Sequence, residues 1–349
     1  MTLPNLATEK MIEFLCGLLN TPSPTGMADA GIAFTEQALA AVPGITMRRT
    51  RKGALVAVIP GQRSDAPRAL TAHCDTLGGM VKEIKPNGRL KLTQIGGFAW
   101  NTVENEGCTI FTASGKTVRG SLLVNTASAH VYRMAVTETK REDANMEVRL
   151  DARTTNAEET RALGIQVGDF VAFDPRVEVV NGFVRSRHLD DKACVACVVA
   201  AVQALADAGL KPAQTTYLHI SNYEEVGHGA SAGIPDEVTE LLTVDMAAVG
   251  DGQTSNEYQT SLCVKDSGGP YHHGLSNRLR QLADEHQIPY VVDVYPFYGS
   301  DGEAFWRAGG DVAVALIGPG VDASHGYERT HTDALEATAR WVMAYLLAE

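Results

Sequence analysis

The sequence predicts an α/β protein built on a doubly wound mixed sheet with helices on both faces, interrupted by a small β-rich insertion. Three observations carry this. Apolar strand-like runs alternate with long helical patterns at both ends of the chain. Between them lies a stretch of short, alternating, glycine-punctuated segments. Finally, acidic and histidine residues recur where the apolar runs stop, at the sheet edge where α/β proteins bind ligands.

Residues 1–75 read as helix, the Pro/Gly loop "NTPSPTG", helix, and then the strands "GALVAVIPG" and "RALTAHCD". From 76 to 185 the segments "GMVKEI", "RLKLTQI", "TIFTAS", "RGSLLV", "MEVRLDA" and "FVAFD" suggest a small antiparallel, barrel-like domain. From 186 to 349 the α/β texture returns. "TTYLHIS", "ELLTVDM", "YVVDVY" and "DVAVALIG" are strand-like, and 191–209, 275–286 and 334–348 are helix-like. The expected organisation is therefore a discontinuous catalytic domain, 1–75 with 186–349, around an insertion at 76–185.

Composition narrows the function classes. With 349 residues, 44% of them hydrophobic, the chain can bury a large core. Its formal charge of -12 opposes nucleic acid and acidic membranes as partners, since both demand a basic footprint. The opening "MTLPNLATEKMIEFLCGLL" carries Glu9 and Glu13 and no long apolar run, so neither a signal peptide nor a membrane span is expected, and the expected location is cytoplasmic. The six cysteines are scattered and expected to be reduced; Cys194 and Cys197 fall in "CVACVVAAVQALADAGL", where core packing is the better reading of a C-x-x-C.

The chemistry-bearing residues sit at strand ends: His73 and Asp75 in "TAHCD", Glu224 and Glu225 in "SNYEEVGHG", Asp245 in "LLTVDM". Asp190 in "RHLDDKA" precedes an apolar helix, and His331 in "YERTHTD" follows the last predicted strand. Singly, each has a plainer reading: Asp190 or Asp191 as a helix cap, His331 as a surface residue, Asp245 in a turn, the glutamates in a solvated loop. Together they supply two histidines and enough carboxylates for two divalent metals sharing one bridging carboxylate. Imidazole with carboxylate suits zinc, with cobalt or manganese as substitutes.

In this order, from "LLNTPSPTG" through "AHCDTLGGMVKEI", "RHLDDKA", "NYEEVGHGA" and "GSDGEAF" to "RTHTD", the chain resembles the dinuclear metallopeptidases of peptidase family 42, the glutamyl and deblocking aminopeptidases that form tetrahedral shells. The resemblance implies a phosphorylase/hydrolase-like fold, His73 and Asp245 on one metal, Glu225 and His331 on the other, and Asp190 bridging. It implies Asp75 as the support of His73 and Glu224 as general base in amide hydrolysis of a short peptide or an acylated dipeptide. It also implies a homo-oligomer, a dodecamer built from dimers through the insertion.

Three features depart from the pattern or leave it open. Thr76 stands where the family commonly has a glutamate, in His73-Cys74-Asp75-Thr76, which bears on whether a free amine is required. "DASHGYERTH" offers His325 as well as His331 for the last ligand; the Arg-x-His spacing favours His331. Asp301 in "FYGSDGEAFWRAG" could line the rim or cap a helix. Among rivals, the family 20 deacylases place their extra domain later in the chain. A glucanase needs carboxylates on opposite sides of the bond, about 5–9.5 Å apart, which adjacent glutamates do not suit. A metal-binding scaffold without catalysis is the reading from another class. More faintly, the chain is similar to a bacterial subgroup associated with the osmolyte N-acetylglutaminylglutamine amide, a capped dipeptide.

Overall fold

The computed structural model describes residues 2–349. Two compact units are present, residues 2–75 with 176–349, and residues 76–175.

The first unit opens with α1 (Thr8–Leu19) and α2 (Asp29–Leu39), then β1 (Thr46–Arg49), β2 (Leu55–Ile59) and β3 (Arg63–His73). The second unit holds β4 (Gly78–Ile84), β5 (Leu90–Ile95), β6 (Gly107–Phe111) and β7 (Thr117–Val124). After the short helices α3 (Ala129–Tyr132) and α4 (Ala135–Glu138) come β8 (Met146–Leu150), α5 (Ala157–Ala162) and β9 (Phe170–Phe173). The chain then returns through β10 (Glu178–Val180), β11 (Phe183–Ser186), α6 (Leu189–Asp207), β12 (Gln214–Ser221), β13 (Glu240–Val244), β14 (Ala247–Ala248) and β15 (Thr260–Lys265). It ends with α7 (His273–Glu285), β16 (Tyr290–Val294), α8 (Asp301–Arg307), β17 (Ala313–Val321), β18 (Glu328–His331) and α9 (Thr332–Leu347).

The large sheet has the order β1-β2-β12-β3-β13-β17-β15-β16, with β14 added alongside β17. Its centre, β12-β3-β13-β17, is parallel, and β2 and β15 join antiparallel. Side chains alternate along each strand, so both faces can be read from sequence phase. Leu70 and Ala72 of β3, Leu242 and Val244 of β13, and Ala315 and Ile317 of β17 pack with α2, α6, α7 and α9. Their neighbours Ala69, Leu241, Val314 and Leu316 pack on the opposite face with Phe305 of α8. Burial on both faces is why these strands read as continuous apolar runs. Truncating Leu70 or Ile317 to alanine would leave a cavity costing about 2–5 kcal/mol.

Helix α6 is buried nearly all round, which explains its lack of a polar face. Cys194 and Cys197 are free thiols in that core, as expected. Among the described residues, no helix is long and apolar enough to cross a membrane.

The second unit is a closed antiparallel barrel, β4-β5-β8-β7-β6-β9, filled by residues such as Val81, Leu92, Ile110, Leu122, Val148 and Val171. It ends at Pro175 rather than 185. The physical reason is pairing: β10 and β11 form a separate three-stranded sheet with β18, far along the chain. Sequence pattern alone leaves β18 in a loop and does not mark β15, whose "TSLCVK" is short and flanked by polar turns.

His219 of β12 is fully buried, its Nδ1 facing the Thr71 hydroxyl at 3.1 Å. Burial, with the charges of Lys52 and Arg48, pushes its pKa down from 6.5 to about 4. The fold therefore favours neutral His219. Its contribution is fully present above about pH 6.5 and is lost as pH falls from there through about 4, up to roughly 3 kcal/mol for a shift of about 2.5 units. Urea midpoints measured at pH 7 and 4.5 should fall steeply in the wild type and less in His219→Gln; an equal fall in both would acquit this residue.

Candidate metal centre

The candidate residues meet at the carboxyl ends of the parallel strands. His73 ends β3 and is paired in register with Ser221 at the end of β12. Asp245 follows β13, its N–H donating to Ile317 O of β17 at 3.0 Å. Here the backbones approach closely: a Cβ on Gly318 would lie 1.7 Å from Asp245 O, so only glycine fits. Asp190 lies in the first turn of α6, joined to Asp191 by a cis peptide.

At the middle stands Asp190, whose two oxygens face two imidazoles. Oδ1 lies 3.1 Å from His73 Nε2, and Oδ2 lies 3.4 Å from His325 Nε2. His325 Nε2 is also 3.7 Å from Glu225 Oε2, and His73 Nε2 is 3.6 Å from Glu224 Oε2. Donor atoms of His73, Asp190 and Asp245 lie within 4.8 Å of one another, and all three residues are buried.

His331, expected at this centre, is not there. It ends β18, where alternation buries Glu328 and Thr330 and turns His331 the other way. Its ring packs against Phe183 and Tyr258, and Nδ1 accepts the Asp333 N–H at 3.1 Å as the cap of α9. A Cβ at Gly182 would lie 2.4 Å from Nε2, so the ring occupies the space beside the Gly182 backbone. His325, from the loop after β17, takes the expected place. The Arg-x-His spacing favours His331 because it carries no information on strand phase, whereas the fold sets His325 beside Asp190 and Glu225.

Asp75 is the second difference. The His73 Nδ1 partner is the main-chain oxygen of Asp75 at 3.0 Å, with the carboxylate farther away at 3.8 Å. That carboxylate instead accepts the Thr25 hydroxyl at 2.7 Å and the N–H groups of Glu224 and Glu225 at 3.3 and 3.4 Å. The glutamates sit in a 3₁₀ turn, Glu224–Val226, entered through Tyr223 at φ 76. This turn, clamped by Asp75, sends Glu224 towards His73 and Glu225 towards His325.

Two further residues of the centre carry no signal in the sequence. Asp191, fully buried, accepts the His73 N–H at 3.1 Å. Glu328, also buried, accepts two N–H groups near the centre. Both lie close in sequence to candidate residues, yet no spacing rule marks them. Asp301 is neither rim nor cap: it lies buried, taking the Ala230 N–H at 2.7 Å, while Ser300 lines the cavity. Cys74 is buried against Gly31, and burial pushes its thiol up to about 11.

The electrostatics show what this donor set calls for. Burial, the charge of Asp190 and that of Asp301 raise Asp245 to about 7, against the opposing pull of His73 and Tyr298. Burial and Asp190 likewise push Glu225 well up. Burial pushes Glu224 well up too; His73 opposes, while Asp245, Asp301 and Glu225 add to the rise. Burial also acts to raise Asp190, but the hydrogen bonds of His325 and His73 outweigh it and hold that carboxyl well below its usual range. Three carboxyls forced towards neutrality within one pocket, each beside an imidazole or another carboxyl, form a donor set that a divalent cation would satisfy. A cavity of about 400 Å³ opens on the group, walled by Met246, Phe297, Tyr298, Ser300, Arg307 and Ser324.

A family model described as M42 glutamyl aminopeptidase matches residues 53–341. The chain is 47% identical over 341 residues to the putative aminopeptidase YhfE of Bacillus subtilis (strain 168), covering 97% of this chain and 98% of that one. Its fold is similar to a TET aminopeptidase from Thaumarchaeota archaeon SCGC AB-539-E09, with TM-score 0.87 and 18% identity over 97% of both chains. It is also similar to the TET1 peptidase of Pyrococcus horikoshii, which can assemble into a tetrahedron or a large octahedral shell, with TM-score 0.83 and 19% identity over 97% of this chain and 100% of that one.

The two histidines should separate cleanly in a metal titration. His325→Ala should lose about one bound divalent ion per chain. His331→Ala should keep full metal content and lose about 1 kcal/mol from the missing helix cap. Mass-spectrometric metal content and denaturation midpoints check both, and the reverse pattern would restore His331 to the centre.

Proposed function

The chain belongs to the M42 glutamyl aminopeptidase family and is a metal-dependent aminopeptidase, a hydrolase of peptide bonds; from that premise we propose how its residues divide the work. Two divalent ions, zinc foremost, would be held by His73 and Asp245 and by Glu225 and His325, with Asp190 serving both. The observation that carries this reading is Asp190, each of whose two oxygens faces a different imidazole. Bound ions of this kind polarise a scissile carbonyl and lower the pKa of water.

Glu224 is the general base. It lines the cavity, and its Oε2 lies on the His73 side of the cluster, leaving the Glu225 carboxylate to the His325 side. Its carboxylate takes the proton of the attacking water and returns it to the leaving amine. The turn that carries it is fixed by Asp75, whose carboxylate holds the N–H groups of both glutamates. Main-chain hydrogen bonding to His73 Nδ1 sets the ring so that Nε2 faces the carboxylates.

The substrate we propose is a short peptide with a free amino terminus, in keeping with the family; an acylated dipeptide is the alternative that Thr76 raises. For the whole protein we propose a cytoplasmic homo-oligomer, with the barrel unit as its dimerisation domain and a dodecamer as the assembled form. The shells described for the similar Pyrococcus horikoshii peptidase support this. Light scattering should give a mass near twelve chains; a monomer would refute the assembly.

Glu224→Gln should retain both ions while kcat on aminoacyl-anilides falls by about 10²–10⁴. Full turnover by the variant would remove Glu224 from the role. N-acetylated counterparts in the same assay should be poor substrates, and their preference over free amines would shift the reading to a deblocking enzyme.

A further inference from the structure

Glu328 is a buried carboxyl that the catalytic account leaves unused, 2% exposed at the start of β18. Its two oxygens are spent on two separate backbone amides. Oε2 accepts the Asp190 N–H at 3.1 Å, and Oε1 accepts the His325 N–H at 2.9 Å. Asp190 and His325 lie 135 positions apart in sequence, and they supply the 3.4 Å approach on the far side of the centre. One side chain therefore spans the segment carrying the bridging carboxylate and the loop carrying the last imidazole.

The surroundings support a clamp over a chance contact. Both segments depart from ordinary backbone: His188 is left-handed at φ 71, and Ala323 and His325 have φ 56 and 61. Such conformations cost free energy and persist where the surroundings hold them. Antiparallel pairing of β11 with β18 puts Ser186 opposite Glu328, which brings residues 186–190 beside the 322–328 loop. Next to Glu328, Arg187 donates to Gly326 O at 3.1 Å, a second tie between the same two segments. A glutamate whose two oxygens each accept one backbone amide is a bidentate spacer between the two segments.

Resting on the reading of Asp190 and His325 as ligands, we infer that Glu328 is a positioning residue that sets the separation of Asp190 from His325 and so governs affinity for the ion on the His325 side. It does not touch substrate or ion. A glutamine at 328 keeps one acceptor and presents an NH₂ group to the other amide, so one strap is lost. An aspartate keeps the charge but is one methylene too short to reach both amides. In each case the tie between the two segments is broken and the separation of His325 from Asp190 is no longer fixed, whereas His73 and Asp245, held by β3 and β13, stay in place.

The test is titration of full-length, metal-stripped protein with Zn(II) in chelator-buffered solution, with stoichiometry by mass spectrometry and kcat and KM at each free Zn(II). Wild type should bind two ions. Glu328→Gln and Glu328→Asp should bind the first with wild-type affinity and the second about 10–100-fold more weakly. Their kcat should recover to near wild type at saturating Zn(II), with KM little changed. Two sites of wild-type affinity in a folded variant would overturn the inference. So would equal weakening of both sites, or failure of both variants to fold, since either makes Glu328 a general structural element. Fewer than two ions in wild type would instead refute the dinuclear reading on which the inference stands.

Discussion

The structure is organised around one costly concentration of charge. Asp190, Glu224, Glu225 and Asp245 converge on one cavity, and like charges so placed cannot all remain ionised without a counter-charge. Two imidazoles meet part of the demand through Asp190; divalent cations would meet the rest. Such a cluster is unstable as a packing solution and is held only because the surrounding backbone fixes each member.

That holding is done largely by carboxylates binding main-chain N–H groups. Asp75 holds the turn of Glu224 and Glu225, Asp191 holds the His73 amide, and Glu328 holds Asp190 and His325. Hydrogen bonds from amides to a carboxylate are stronger than neutral ones, and they position residues without using the ligand side chains themselves. The parallel strands provide the frame, since β3, β12, β13 and β17 all deliver their carboxyl ends to one edge. Sheet, amide clamps and ligands thus form successive layers of one support.

The barrel unit follows different rules. Its core is small and separate, filled by one face of each strand, and among the described residues it supplies none of the centre's donors. Its sequence texture changes accordingly, from apolar runs buried on two faces to alternation buried on one. This contrast is what makes the insertion legible in the sequence. Its carboxyl-terminal limit is not, because β10 and β11 carry the same alternation while pairing outside the barrel.

Much of the candidate cluster was legible because chemistry and element ends coincide in the linear chain: His73, Glu225 and Asp245 stand where apolar runs stop and Asp190 where one begins, each with a plainer reading alone, and the fold brings them to one group. The fold class was legible for a related reason, since the period of apolar residues records how many faces are buried. What only the tertiary structure decided depended on phase and on long-range pairing. His331 and His325 are both histidines in one polar stretch, and the pairing of β18 with β11 turns one outward while the left-handed loop turns the other in. Asp75 and Glu328 bind amides that lie 149 and 138 positions away. No local pattern records such partners, because the free energy that selects them comes from contacts made only once the sheet has assembled.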